Sequence, residues 1–117
     1  MKLITLEQIE DLIIIVEEQK VLIDRDIALI YGVETKRVNE AVKNNLKRFP
    51  EGYIIEVDKK QLVENFDRFE KLKHSSVNPK AFTEKGLYML ATILNSDQAI
   101  QTTLSIIETF SKIRELS

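Results

Sequence analysis

The order of apolar and polar positions along the chain first indicates strands. Leu12–Val16 is rich in β-branched residues and predicts a strand, and Val21–Ile23 predicts a second strand beyond the polar turn Glu17–Lys20. A short helix over Thr5–Ile9 is predicted to lead into this hairpin. A third strand is predicted at Tyr53–Val57. Together these segments favour a small antiparallel sheet.

Helical spacing of apolar residues accounts for most of the remaining chain. Two consecutive helices are predicted, one starting at Asp24 and one over Thr35–Leu46, each beginning at a residue that can cap a helix. Gly32 separates them, because glycine takes the left-handed conformation at a helix end without steric cost. Further helices are predicted to begin at the capping residues Asp58, Thr83 and Ser96. The predicted fold class is α+β: a small antiparallel sheet with a winged-helix-like helix-turn-helix, followed by C-terminal helices.

The stretch Asp24–Lys43 has the features of a helix-turn-helix. Ala28 supplies a small residue against which the second helix can pack, and Gly32 follows four positions later in the turn. The apolar residues that such an interface needs are present at Ile27, Tyr31, Val33, Val38 and Ala41. Helix pairs that end in glycine also occur in helical proteins that bind no nucleic acid, so this pattern alone leaves DNA binding open.

The distribution of charge favours DNA binding. The formal net charge of the chain is −2, but residues 1–34 carry −5, residues 35–48 carry +4 and residues 49–117 carry −1. The positive segment coincides with the second helix of the pair and its exit. In a helix-turn-helix this second helix enters the major groove of DNA. The alternative is an ordinary solvated helix face, which is what most charge runs are.

Seven residues of this segment are the candidate DNA contacts. Thr35, Lys36 and Asn39 are expected to face base edges, because asparagine can pair with adenine and lysine can donate to guanine acceptors. Phosphate contacts, which give affinity without sequence information, are expected from Arg37, Lys43, Lys47 and Arg48. For Asn39 the alternative is a plain helix-surface residue.

The composition argues against several other classes of function. The chain has no cysteine and one histidine, so a disulfide framework, a thiolate nucleophile and a cysteine- or histidine-rich metal site are not expected. Its three glycines are far apart and form no phosphate-binding loop. Ser75 and Ser76 beside His74 are interpreted as loop residues, since no oxyanion-hole pattern accompanies them. Neither enzymatic activity nor a cofactor is therefore expected.

Length and targeting signals indicate a single cytoplasmic domain. At 117 residues the chain is expected to form one domain over residues 1–117. Apolar runs such as Leu12–Val16 are far shorter than the ~20 residues that span a bilayer. No signal-peptide pattern opens the chain. A cytoplasmic location is the resulting expectation.

Three runs of the sequence, taken in order, resemble one known family. They are VLIDRDIALIYGVETKRVNEAVKNNLKRFPEGYIIEV, AFTEKGLYML and LNSDQAI. The resemblance spans about residues 8–115 and is to the KilA-N-type domain of phage and bacterial regulators, in the branch named for the N-terminal domain of a phage open reading frame six product. It implies a DNA-binding domain of phage or prophage antirepressors and related transcription regulators, often joined to a separate C-terminal domain.

The resulting function prediction is sequence-selective binding of double-stranded DNA through Asp24–Lys43. The alternative is a protein-interaction module that binds a repressor or another regulator without touching DNA. The acidic first third of the chain, with a net charge of −5, would suit a basic protein partner.

The last predicted helix raises a separate question about oligomeric state. It carries an apolar stripe with a 4-3-4-3 spacing. The members of this stripe are Ala99, Thr103, Ile106, Phe110 and Ile113. The stripe either packs on the chain's own core or forms the seam of a homodimer, and a dimer would match paired half-sites in DNA.

Overall fold

The computed structural model describes the backbone of residues 6–74 and 78–116, and the side chains of residues 8–67, 69–74 and 78–112. The described part contains a four-stranded antiparallel sheet in the order β1-β2-β4-β3 and six α-helices, which confirms the predicted α+β class. The elements are α1 Leu6–Leu12, β1 Ile14–Val16, β2 Gln19–Ile23, α2 Asp24–Tyr31, α3 Thr35–Lys43, β3 Ile54–Glu56, α4 Lys59–Asn65, β4 Lys80–Phe82, α5 Glu84–Leu94 and α6 Asp97–Leu116. Two 3₁₀ segments, Leu46–Arg48 and Asp67–His74, complete the fold.

The predicted hairpin is present, with a tighter turn than the sequence indicated. β1 pairs with β2 from Ile14 opposite Val21 to Val16 opposite Gln19. Only Glu17 and Glu18 remain in the turn, and both have positive φ, 50° and 66°. This is the conformation that a two-residue hairpin turn requires to match the twist of its strands. The preceding helix covers Leu6–Leu12, so Leu12 belongs to α1 and not to the strand, and the predicted start at Thr5 lies outside the described residues.

The centre of the sheet holds a strand that the sequence did not predict. β4 pairs with β2 on one side, where Leu22 lies opposite Phe82, and with β3 on the other, where Ile54 lies opposite Phe82. With three residues directly after Pro79, β4 is too short to show an alternating pattern of its own. It joins the N-terminal hairpin to β3 and thereby makes one sheet of them.

Both faces of the central strands β2 and β4 are covered, because successive side chains of a strand point to opposite sides and each side meets a core cluster. On one side Leu22 and Phe82 pack with the main core, which draws on α1, α2, α3, α5 and α6. On the other side Val21, Ile23 and Ala81 pack with a second cluster supplied by α4 and the 3₁₀ segment Asp67–His74. The second face is therefore covered by α4 and the 3₁₀ segment, which both lie between β3 and β4 in the chain.

The capping predictions divide into two groups. Asp58, Thr83 and Ser96 accept hydrogen bonds from the backbone N–H groups of Lys60, Gly86 and Ala99, so these three caps are confirmed. Asp24 and Thr35 are instead the first residues of their helices, and the capping positions are Ile23 and Glu34, without a side-chain cap. The Asp24 carboxylate accepts from the N–H of Arg25 at 2.8 Å and from that of Lys80 at 3.5 Å. It therefore ties the start of α2 to β4.

The apolar stripe of α6 packs inside its own chain. Ala99, Thr103, Ile106 and Phe110 are all buried, and the side chain of Ile113 lies outside the described residues. This arrangement agrees with the core interpretation of the stripe, and the homodimer stays a prediction. Although α6 has 20 residues, none of the helices described is both long and apolar enough to cross a membrane.

Candidate nucleic-acid interface

The turn between α2 and α3 is closed by the backbone of Gly32. This residue adopts the left-handed conformation, with φ 69° and ψ 33°. Its N–H donates to the carbonyl of Leu29 at 3.3 Å, and the N–H of Val33 donates to the carbonyl of Ala28 at 2.9 Å. These two bonds are the Schellman arrangement that ends a helix within one residue. The predicted role of Gly32 is confirmed, and α3 begins only three residues further on.

The contact between the two helices uses the residues that the sequence indicated. Ile27, Ala28 and Tyr31 of α2 are buried, as are Val38 and Ala41 of α3. Val33, in the turn, is partly buried against the same core. All five buried residues belong to the main core cluster, so the two helices pack on it together.

The outward side of α3 is charged. Lys36, Glu40 and Lys43 are exposed and follow one another at the spacing of one helical face, opposite to the buried residues. Lys36 Nζ lies 3.9 Å from Glu40 Oε1. An exposed pair of this kind is worth less than about 1 kcal/mol, so Lys36 can exchange it for a phosphate oxygen at little cost. Arg37 is exposed as well.

The positive charge continues beyond the end of α3. The helix stops at Lys43, not at Leu46 as predicted, and Asn45 Nδ2 donates to the carbonyl of Ala41 at 2.8 Å in the following turn. Lys47 and Arg48 lie in the subsequent 3₁₀ segment, and both are exposed. Leu46, expected on the apolar helix face, is 67% exposed because the chain has already left the helix. The basic surface is defined here by its five cationic residues, Lys36, Arg37, Lys43, Lys47 and Arg48.

Thr35 and Asn39 lie at the flank of α3 and not on its outermost side. Both are half-buried and line a cleft of about 310 Å³, named here the α3 cleft. Within the described part of the chain, the buried Oδ1 of Asn39 has no hydrogen-bond partner. Of the three residues predicted to face bases, Lys36 is exposed, whereas the other two are partly shielded at the cleft.

The α3 cleft also brings in residues that the sequence pattern did not indicate. Arg25 at the start of α2, Lys71 in the 3₁₀ segment Asp67–His74, and Asn78 before β4 line it together with Thr35 and Asn39. The guanidinium of Arg25 lies 5.7 Å from the centre of the Phe69 ring. No signal in the sequence could have placed Lys71 beside α3, because their proximity depends on the tertiary packing of the second core.

A second surface feature lies between α5 and α6. α5 and α6 enclose an apolar groove of about 360 Å³, named here the α5–α6 groove, lined by Tyr88, Ala91, Ile100, Leu104 and Ile107 among others. Tyr88 is 48% exposed, Ile100 44% and Leu104 57%. These three large side chains line the same groove and leave an apolar patch exposed on the surface.

Comparison with known families matches residues 11–93 to the ORF6N domain. Comparison with curated proteins and with solved structures gives no match. The matched residues include the hairpin, α2, α3, the basic surface and most of α5.

Proposed function

We propose that the chain, which belongs to the ORF6N domain family since the match covers well over half of its length, binds double-stranded DNA sequence-selectively through α2 and α3. The family match by itself indicates a phage-related regulatory domain. The finer proposal is that the protein acts as an antirepressor or transcription regulator that contacts DNA directly.

One observation carries this proposal: a tightly closed helix pair presents an exposed, basic second helix. Gly32 ends α2 abruptly, and α3 keeps Val38, Ala41 and Val42 inside while Lys36 and Lys43 face outward. Such a helix, 10–12 Å in diameter with its side chains, fits the major groove, which is about 12 Å wide. The arrangement supports a helix-turn-helix in which α3 is the recognition helix.

Within this proposal the basic surface divides by function. Lys36, near the start of α3, is assigned to base edges, together with Thr35 and Asn39 at the flank of the helix. Arg37, Lys43, Lys47 and Arg48 are assigned to phosphates because they are cationic and exposed. Glu40 lies on the same exposed face and lowers its net positive charge, which supports modest affinity for a single copy of the domain.

The direct test is a binding titration after selection of bound duplexes from a random pool. We expect enrichment of one sequence motif, and fluorescence anisotropy should show affinity that falls steeply with salt. Arg37→Ala combined with Lys47→Ala should weaken binding and lower the slope of log K against log salt by about two, because each substitution removes one cation from a phosphate.

The control for this test is Lys60→Ala, which removes one positive charge from an exposed position of α4. It should leave both affinity and slope almost unchanged. Absence of binding to any duplex at low salt would contradict the proposal, as would equal behaviour of the control and the Arg37/Lys47 double variant.

Interaction with a repressor or another regulator is the second candidate function, and the α5–α6 groove is the observation that favours it. Its lining is mainly apolar and suits the apolar face of an amphipathic helix from such a protein. Leu104→Lys should abolish binding to a purified repressor while DNA binding persists. Ile15→Lys, at another exposed apolar position, is the control. Equal repressor binding by the two variants would exclude this role of the groove.

A further inference from the structure

The α3 cleft places a lysine from a distant part of the chain beside the recognition helix. Lys71 lies in the 3₁₀ segment Asp67–His74, between β3 and β4, and lines the same cleft as Thr35 and Asn39. Arg25 lines it from the start of α2. The cleft therefore joins three elements of the fold around one flank of α3.

The segment that carries Lys71 is firmly held. Phe69, two residues earlier, is fully buried, and its ring meets the Phe66 ring edge-on with the centroids 5.8 Å apart. The Arg25 guanidinium covers the same ring, and Leu72 packs against the second core cluster. Because Phe69 and Leu72 are packed on either side of Lys71, the backbone that carries Lys71 is held against the second core cluster and, through Arg25, near the start of α2.

The charge of Lys71 is available to a ligand. Its side chain is exposed, and within the described residues it forms no ion pair. Lys73 of the same segment, by contrast, pairs with Glu70 at 3.1 Å. The carboxylate in the cleft, Asp24, already accepts from the backbone N–H groups of Arg25 and Lys80.

The dimensions of DNA indicate what Lys71 would meet. A helix with its side chains fills the major groove almost completely, so groups beside the flank of that helix face the sugar-phosphate backbone at the groove edge. Thr35 and Asn39 mark this flank, and Lys71 lines the same cleft. Ammonium groups at such positions bind phosphate as point charges.

We propose that Lys71 is a DNA phosphate contact, and that the 3₁₀ segment Asp67–His74 is a second DNA-contacting element that clamps the backbone against the flank of α3. This inference rests on the proposed function and adds to it a part of the chain outside the helix pair. The phosphate that Lys71 holds fixes the register of α3 in the groove, so that Thr35 and Asn39 meet a defined base pair.

The test compares Lys71→Gln with Lys60→Gln in an anisotropy titration against the selected duplex between about 50 and 200 mM salt. Lys60 lies in the same stretch between β3 and β4 but does not line the cleft. We expect Lys71→Gln to lose about three- to tenfold in affinity and to lower the salt slope by about 0.9, the value for one phosphate contact. Lys60→Gln should change neither quantity.

The absence of cysteine from the chain permits a second measurement that does not depend on affinity. A DNA-cleaving metal chelate attached at Lys71→Cys should cut the backbone at one edge of the selected site, whereas the same chelate at Lys60→Cys should give no localised cuts.

The outcomes separate the two proposals. If the wild-type chain binds DNA and Arg37→Gln weakens binding, but Lys71→Gln behaves like Lys60→Gln and its chelate gives no localised cuts, the inference about Lys71 is wrong and the proposed function stands. If the wild-type chain binds no duplex at low salt, both are wrong.

Discussion

Tyr31 at the end of α2 and Thr103 in the middle of α6 share a buried hydrogen bond, with 2.6 Å between the two hydroxyl oxygens. Burial raises the pKa of Tyr31 to about 12, although the bond to Thr103 acts in the opposite direction. This contact anchors the last turn of α2, immediately before Gly32, to the long C-terminal helix. The orientation of the helix pair, and with it that of the basic surface, therefore depends on α6.

Removal of the Tyr31 hydroxyl should loosen this anchor. We expect Tyr31→Phe to lower the free energy of unfolding by about 1 kcal/mol, because the buried Thr103 hydroxyl loses its partner. Urea titration followed by circular dichroism measures the change. Tyr88→Phe is the control, since the Tyr88 side chain is 48% exposed. Equal stability of the two variants would show that the bond contributes nothing.

The raised pKa of Tyr31 also predicts how stability depends on pH. Between pH 10 and about 12 the unfolded state loses the tyrosine proton while the folded state keeps it. The stability that comes from the protonated Tyr31 is therefore fully present below pH 10, and the free energy of unfolding falls as pH rises through this window, by roughly 2–3 kcal/mol in total. Tyr31→Phe has no ionisable hydroxyl at this position, so its stability lacks this dependence on pH. The stability difference between wild type and Tyr31→Phe should shrink and then reverse above pH 10, and a constant difference would contradict the prediction.

Gly86, in the first turn of α5, lies directly against the backbone of Tyr53. A Cβ atom at this position would collide with the carbonyl oxygen of Tyr53, which also accepts from the N–H of Thr83. Gly86→Ala should therefore shift α5 away from the β3 side of the sheet and cost about 2–4 kcal/mol in unfolding free energy.

Gly52→Ala is the matched control for this substitution. Gly52 has a φ of 92° but nothing within 4 Å of an added Cβ, so only backbone strain of about 1–2 kcal/mol is expected. Thermal unfolding measures the loss of stability in both variants, and a larger loss for Gly86→Ala is expected from the collision with the Tyr53 carbonyl. A smaller loss for Gly86→Ala than for Gly52→Ala would show that α5 can relax.

Local patterns predict the helix pair well. The apolar spacing of α2 and α3 and the position of Gly32 depend on neighbouring residues alone, and the structure confirms them. β4 could not be predicted in this way, because its three residues become a strand only between two others supplied by distant segments. The capping prediction for Asp24 is wrong for a similar reason: Asp24 is the first residue of α2, and its carboxylate accepts both from the N–H of Arg25 and from that of Lys80 across the fold, while Ile23 occupies the capping position.

The candidate site shows the same division between local and tertiary information. The five cations of the basic surface follow from sequence order, since they occupy one helix and its exit. The partial burial of Thr35 and Asn39 does not, because both lie at the α3 cleft, which residues from other elements of the fold also line. Periodicity assigns a helix face, but only the packed structure shows which side of that face is shielded.

Asn39 provides the sharpest test of recognition at this flank. Its buried Oδ1 has no partner within the described residues, and an unsatisfied buried acceptor costs about 1–3 kcal/mol. Asparagine is also a poorer helix former than alanine by up to about 0.7 kcal/mol. Asn39→Ala should therefore raise the free energy of unfolding by about 1 kcal/mol or more in the absence of DNA.

The same substitution should impair sequence selectivity. An asparagine that meets a base loses about 1–3 kcal/mol of discrimination at one base pair when it is truncated, whereas binding to unrelated duplexes changes little. Competition between the selected duplex and single-base variants of it measures this discrimination. Asn44→Ala, at the exposed C-cap of α3, is the control and should preserve the selected motif. If Asn39→Ala is less stable than wild type and equally selective, Asn39 serves packing alone. A residue kept for DNA contact would show the opposite result, because its removal raises stability and lowers selectivity.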